Sequence, residues 1–306
     1  MENSPSKFIV WLQAARLRTL PLSFSGIIAG AAISNISGSF DRPIFFMSLW
    51  CTLLFQVISN FANDYGDGIK GTDNEQRVGP KRVLQSGFLT AFALKKGIVF
   101  LSVVALISVV FLLGLVFGLE QWPLFLLFLC LGALSIWAAI RYTVGDKAYG
   151  YKGFGDVFVF MFFGLLGVLG SAFLFTQMIE ATFFLPAVVI GCLSVAVLNL
   201  NNMRDHINDQ KSDKNTLVVR FGFIWAKYYH ASLIMTALAA SLLFFYVENF
   251  TWTMYLPILV FFFLGAHLIK VFRTTDPKNL DPELKKVALL TFLWSTLFMI
   301  SSNYLL

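Results

Sequence analysis

The sequence predicts an all-α integral membrane protein with nine transmembrane helices, built as a single polytopic domain over residues 1–306. Three observations carry that prediction. The chain is 58% hydrophobic and only 13% charged, with a mean hydropathy of +0.74, whereas a soluble domain is nearer a quarter charged. Its apolar residues come in runs close to the roughly 20 that a bilayer-crossing helix needs. Its Lys and Arg residues fall almost entirely in alternate loops, the pattern of the positive-inside rule.

The apolar runs lie at 20–36, 44–62, 98–117, 123–140, 157–175, 183–200, 228–247, 254–268 and 287–304. The first is rich in Gly, Ala and Ser, as suits a helix packed closely among others. The eighth is short by strict count and is expected to borrow flanking residues. Ahead of the first span, the apolar stretch 8–12 is too short for a cleavable signal and is followed by Arg16 and Arg18; it reads as an amphipathic arm at the membrane surface.

With these spans, 22 of the 23 basic residues fall on one side of the membrane, and Arg42 alone lies on the other. The positive-inside rule then places the N-terminus in the cytoplasm and the C-terminus outside. The net charge of +6 is this topology signal, with affinity for anionic membrane lipid. It requires no nucleic acid, and no obligate protein partner is evident. Cys51, Cys130 and Cys192 sit in or beside spans, without metal spacing or a disulfide framework.

Acidic residues are scarce: of 17, four lie in the short outer loops, and most of the rest cluster after spans two and six. The first cluster holds Asn63, Asp64, Asp67 and Asp73, and the second Asn201, Asn202, Asp205, Asp209 and Asp213. Residues four apart share a helix face, so Asn63 aligns with Asp67, and Asn201 with Asp205 and Asp209. Like charges held close without a cation are unfavourable. Hard oxygen ligands on two facing helices suit Mg²⁺, which bridges carboxylates to substrate phosphates. Acids at a membrane boundary are costly and mark function. Asn63-Asp64-x-x-Asp67 also matches Asn201-Asn202-x-x-Asp205, so spans one to four and five to eight read as two related units with span nine added.

Basic residues surround these acids: Lys70, Arg77, Lys81 and Arg82 by the first cluster, Arg204 and Lys214 by the second. Acid, base and metal together are the environment a diphosphate needs, although loop charge alone accounts for any single Lys or Arg. A third polar island runs from Arg141 to Asp156 and contains Asp146, Tyr149, Gly150, Tyr151, Lys152, Gly153 and Gly155. It is either a backbone folded tightly against a ligand or a plain turn, and it lacks the Gly-Lys-Ser/Thr of a nucleotide loop. His206, His230 and His267 read as packing residues. Some of the 34 Phe residues are available to line a tunnel for an isoprenoid tail and to shield a carbocation.

These motifs resemble the UbiA superfamily of intramembrane prenyltransferases. The resemblance covers the chain: Ala15-Arg16-x-Arg18-Thr19-Leu20-Pro21, Asn63-Asp64-Tyr65-x-Asp67 with Lys70-Gly71-x-Asp73, Arg77-Val78-Gly79-Pro80-x-Arg82, Gly150-Tyr151-x-Gly153-x-Gly155-Asp156, Asn201-Asn202-x-Arg204-Asp205-x-x-x-Asp209 and Lys214-x-Thr216-Leu217-x-Val219-Arg220-x-Gly222. Within the superfamily it is similar to the 1,4-dihydroxy-2-naphthoate polyprenyltransferases. Asp213 departs from that branch, where the residue before the lysine is commonly Gly.

The resemblance implies nine helices around a central cavity capped by cytoplasmic loops. It implies Mg²⁺-dependent transfer of a polyprenyl group from polyprenyl diphosphate to 1,4-dihydroxy-2-naphthoate, with loss of carbon dioxide and diphosphate, giving demethylmenaquinone. The candidate catalytic residues are Asp67, Asp205 and Asp209. The candidate metal ligands are Asn63, Asp64, Asp67, Asp73, Asn201, Asp205 and Asp209. The candidate substrate-binding residues are Lys70, Arg77, Arg82, Tyr149, Lys152, Arg204 and Lys214. Another aromatic acceptor, such as 4-hydroxybenzoate, is the alternative within the superfamily. An ion-coupled secondary transporter is the alternative outside it, disfavoured because its acids should lie at mid-membrane.

Overall fold

A computed structural model describes residues 6–73, 78–118 and 120–303. Among these residues nine helical segments are long and apolar enough to cross a membrane, and no strand occurs. The N-terminal arm is a separate helix, α1 (Lys7–Ala15), whose Val10, Ala14 and Ala15 are buried while Phe8, Ile9 and Leu12 are exposed. Arg16 ends it in the left-handed conformation, φ 47°.

The first span is α2 (Leu20–Ile36), started by Pro21, where a missing N–H is no loss. It is followed by α3 (Arg42–Ile69), capped by Asp41, then α4 (Ala91–Phe117), capped by Thr90, and α5 (Trp122–Arg141), started by Pro123. The fifth span is composite: α6 (Gly155–Val159), a π-helical stretch Phe160–Gly170, and α7 (Ser171–Thr176). Next come α8 (Phe184–Lys211), the short α9 (Leu217–Phe221) and α10 (Phe223–Val247). The eighth span is a 3₁₀ segment, Trp252–Leu259, running into α11 (Val260–Arg273). Here the short apolar run 254–268 is extended to Trp252 at its start and, by more than a turn, to Arg273 at its end, and Pro257, which has no N–H, is accommodated in the tighter helix. The last span is α12 (Asp281–Ser302).

The sequence-based ends of spans two and six fall short of the observed ones. Those spans were expected to stop near residues 62 and 200, but α3 runs to Ile69 and α8 to Lys211. Hydropathy locates where apolar side chains stop, not where backbone hydrogen bonding stops. Asn63, Asp64 and Asp67 therefore lie on the last turns of α3, and Asn201, Asn202, Asp205 and Asp209 on those of α8, while Asp73 and Asp213 lie in the loops just beyond. The π stretch has no counterpart in the apolar pattern, and such segments are rare and concentrated at functional sites.

Small residues set the closest helix contacts. A Cβ on Gly30 of α2 would stand 2.8 Å from the Ala172 nitrogen, and one on Gly164 would stand 2.7 Å from the Ala187 carbonyl oxygen. Polar side chains tie the helices elsewhere. Asn35 of α2 donates to Asn303 Oδ1 at 2.8 Å and to Ser302 Oγ at 3.2 Å, so the first and last spans meet. Fully buried His230 and His267 face each other at 2.8 Å through their Nε2 atoms, and His267 Nδ1 is 2.5 Å from Glu283 Oε2. This chain links α10, α11 and α12, so the two spanning histidines are packing residues with polar partners.

Candidate active site

The two acid clusters meet at one end of the helix assembly. Beyond Ile69 the chain folds back on α3: the N–H groups of Thr72 and Asp73 both donate to the Asp67 carbonyl oxygen, at 3.1 and 3.4 Å. Asn208 of α8 donates to the Thr72 carbonyl oxygen at 3.0 Å, so the second cluster bonds directly to the loop of the first. The third polar island closes over both. Tyr151 donates to Asp67 Oδ1 at 2.8 Å and lies 2.6 Å from Thr72 Oγ1, while its carbonyl oxygen accepts from the Asn215 N–H at 3.0 Å.

Arg82 organises the first cluster. Its Nη1 stands 2.9 Å from Asp67 Oδ2 and donates to the Asn63 carbonyl oxygen at 2.7 Å. Its Nε stands 3.1 Å from Asp73 and 3.5 Å from Asp64. Asp64 is also paired with Arg16. Burial works against the Arg82 charge, but Asp67, Asp73 and Asp64 together hold it above its ordinary range. The carboxylates of Asp64, Asp67, Asp73, Asp205 and Asp209 each already face a guanidinium or ammonium group, so their mutual repulsion is offset within the chain. Asp64 in particular, expected among the metal ligands, is occupied by two arginines.

Lys70 and Lys214 complete the charge arrangement. Their ammonium groups lie 3.9 and 5.7 Å from the centroid of the Tyr151 ring. Lys214 Nζ stands 3.5 Å from Asp209 Oδ1. Burial lowers both lysines. For Lys214 the nearby Asp209 and Asp67 overcome it, and the ammonium is held above its ordinary value. For Lys70 burial wins over Asp67 and Asp146, and the pKa falls.

The remaining candidates divide. Arg204 binds Asp205 through Nε and Nη2 at 2.9 and 2.6 Å, Asn201 through Nη2 at 2.8 Å, and Asp281 of α12 through Nη1 at 2.6 Å. Asn201, Arg204 and Asp205 therefore form a clamp between α8 and α12, with every guanidinium nitrogen engaged. Tyr149 donates to the Ala138 carbonyl oxygen at 2.8 Å and stacks on Phe158 at 3.9 Å. Lys152 is exposed, and its carbonyl oxygen accepts from Arg220 at 2.7 Å. Arg77 lies outside the described residues.

Four residues of the site were absent from the candidate set: Arg16, Thr72, Tyr151 and Asn208. Arg16 and Tyr151 lie within the motifs already singled out, where their charge and ring are visible but their partners are not. Asp213 adopts φ 53°, the left-handed region that glycine enters without strain. The glycine that the resemblance implies at this position would adopt that conformation at no steric cost.

A cavity of about 290 Å³ opens beside the clusters. Asn63, Tyr142 and Tyr149 line its polar end, and Phe55, Phe162 and Leu166 line its body. Burial pushes the Tyr142 hydroxyl up to about 12, so it stays a neutral hydrogen-bonding group. The α3 residues along the cavity run from Asn63 to Ser48, roughly 22 Å at 1.5 Å per helical residue. A polar mouth at Asn63, Tyr142 and Tyr149 thus opens into a largely apolar channel along α3.

The UbiA prenyltransferase family model matches residues 23–302. The chain belongs to the UbiA prenyltransferase family. It is 41% identical to a 1,4-dihydroxy-2-naphthoate octaprenyltransferase of Haemophilus influenzae, over 95% of both chains. It is 38% identical to one of Escherichia coli, over 98% of this chain and 96% of that one. Among solved structures, one reported for digeranylgeranylglyceryl phosphate synthase matches with a TM-score of 0.62 at 18% identity, covering 97% of this chain and 99% of that one. A UbiA homolog from Archaeoglobus fulgidus bound to DMAPP and Mg²⁺ matches with a TM-score of 0.60 at 14% identity, over 95% and 99% of the two chains. Membership of this prenyltransferase family sets the transporter reading aside.

Proposed function

We propose that this UbiA-family enzyme transfers a polyprenyl group from polyprenyl diphosphate to 1,4-dihydroxy-2-naphthoate. Carbon dioxide and diphosphate are lost and the quinol, demethylmenaquinol, is formed; its two-electron oxidation to demethylmenaquinone is a separate step. The observation that carries this reading is the 41% identity, over nearly the whole chain, to a relative named for that acceptor. The polar mouth and apolar channel provide a headgroup site and a tail site in series.

The residues suit Mg²⁺. Asp209 Oδ2 and Asn208 Oδ1 are buried oxygens without a hydrogen-bond partner, and Asp67 is near enough to influence Asp209 electrostatically. Among the described residues no three acidic, histidine or cysteine side chains stand at metal-holding distance. Mg²⁺ needs only one or two carboxylates when phosphate oxygens complete its shell. Asp67 and Asp209 are the carboxylates proposed to hold it, with Asn63 and Asn208 as neutral oxygen donors. When bound, the metal supplies charge neutralisation for the leaving diphosphate.

The protein's own groups do the rest. Lys70, Arg82 and Lys214 bind and orient the diphosphate, and stabilise negative charge as the allylic C–O bond ionises. Tyr151 holds Asp67 in place. Arg204 and Asp205 fix the end of α8, and Tyr149 and Tyr142 shape the cavity mouth. The cavity's apolar walls exclude water from the allylic cation until the electron-rich ring attacks it. The protein lies in the bacterial cytoplasmic membrane with this mouth on the cytoplasmic side.

The test is incubation of the purified protein with 1,4-dihydroxy-2-naphthoate, a polyprenyl diphosphate and Mg²⁺, with mass analysis of the product. A prenylated naphthoquinol lacking the carboxyl group is expected. Prenylation of 4-hydroxybenzoate with its carboxylate retained, and none of the naphthoate, would overturn the choice of acceptor.

A further inference from the structure

A second pocket lies away from the active site, between α11 and α12. It has a volume of about 670 Å³ and is lined by Ile269, Lys270, Arg273, Thr274, Lys278 and Asn279, among others. The Arg204–Asp281 bond joins the end of α8 to the start of α12, so this pocket sits on the membrane face that carries the acid clusters.

Its electrostatics differ from those of the active site. Lys270 donates to Glu283 at 2.6 Å, and Asp281 is taken by Arg204. Arg273 and Lys278 are exposed, and neither side chain forms an ion pair within the described residues. The pocket therefore presents two unneutralised cations beside a third that is already paired. Ile269 of its lining belongs to an apolar outer face of α11, on which Phe262, Ile269 and Phe272 are 74%, 56% and 41% exposed. In a spanning helix, such side chains face the acyl region of the bilayer.

We propose that this pocket binds the phosphate-bearing headgroup of an anionic phospholipid, whose acyl chains lie along the outer face of α11. A cationic cleft at the membrane boundary, continuous with an apolar helix face, matches both halves of that molecule. Basic pockets between spanning helices on the cytoplasmic side recognise such headgroups. Free phosphate would use the cations but leave the apolar face unmatched. A zwitterionic phospholipid would use the face, but its own ammonium group would meet Arg273 and Lys278.

The test is lipid binding to the full-length protein in detergent, followed by intact-complex mass spectrometry. Phosphatidylglycerol and phosphatidylcholine of equal chain length are the probes. Wild type should bind phosphatidylglycerol more tightly. Arg273→Gln with Lys278→Gln should weaken that binding by about 10–30-fold, taking roughly fivefold per cation, and leave phosphatidylcholine binding unchanged. Retained phosphatidylcholine binding shows that the variant is folded. The control, Lys95→Gln with Lys96→Gln, removes two exposed cations at the start of α4 and should change neither affinity. Equal loss in the control would mean general surface attraction and overturn the site. So would full retention of phosphatidylglycerol by the Arg273/Lys278 variant, or its displacement by millimolar inorganic phosphate.

Discussion

The Tyr151 hydroxyl donates to Asp67 Oδ1 at 2.8 Å, joining the loop after α5 to the last turn of α3. The same hydroxyl reaches Thr72, and the ring lies beneath Lys70, so one side chain fixes an acid, a loop and a cation together. Tyr151→Phe keeps the ring and removes the hydrogen bonds. A hydrogen bond to a charged group is worth about 1.5–3 kcal/mol. Steady-state kinetics should show kcat/KM falling about 10–100-fold, with the ring's contact to Lys70 preserved. A variant within twofold of wild type would remove Tyr151 from the site.

Asp67→Asn and Asp205→Asn should fail in different ways. Asp67 sits in the cluster proposed to meet the metal and diphosphate, and its neutralisation should slow turnover by about 10²–10³. Asp205 is the bidentate partner of Arg204, which is 6% exposed. Removing its charge leaves a buried guanidinium under-compensated, at a cost of about 3–5 kcal/mol. Thermal unfolding in detergent should therefore separate the two, with the midpoint lowered clearly for Asp205→Asn and little for Asp67→Asn.

Chelation should abolish turnover, and Mg²⁺ should restore it. Asp209→Asn changes the carboxylate whose second oxygen is without a hydrogen bond, and should raise the Mg²⁺ concentration needed for half-maximal rate. An unchanged Mg²⁺ requirement in that variant would reject Asp209 as a ligand.

At position 213 the expected direction is toward stability. Asp213→Gly removes a side chain held at φ 53° and should stabilise the fold by about 1 kcal/mol. Asp213→Val, β-branched and disfavoured there, should shift the unfolding midpoint the opposite way.

Topology has a direct readout. Nine candidate spans among the described residues, an odd number, lead us to expect the two ends of the chain on opposite sides. A reporter fused after Leu306 should be active only outside the cytoplasm, and one fused ahead of Met1 only inside.

Much of this architecture was legible because lipid imposes a simple rule: long apolar runs are helices. The bounds of α2, 20–36, match because Pro21 starts the helix where the apolar run also starts. The ends of α3 and α8 did not match, since their last turns are polar yet still helical. The π stretch was invisible, because a wider turn changes hydrogen bonding without changing composition. Within the site, helical spacing correctly put Asn63 and Asp67, and Asn201, Asp205 and Asp209, on two helix ends. It did not reveal that Arg204 faces Asp281 or that Arg16 reaches Asp64, because those contacts join segments far apart in sequence. His230, His267 and Glu283 are a further case, where three separate helices each supply one member.

The bond between Asn35 and Asn303 has a consequence for how the molecule is made. The first span leaves the ribosome well before its lasting neighbour, α12, which lies about 250 residues further along the chain. Until then, the polar edge of α2 that carries Asn35 has no α12 against it, and the helix bundle stands open on that side. Closure of that side therefore waits for α12, and a fragment ending before it would leave the assembly open there.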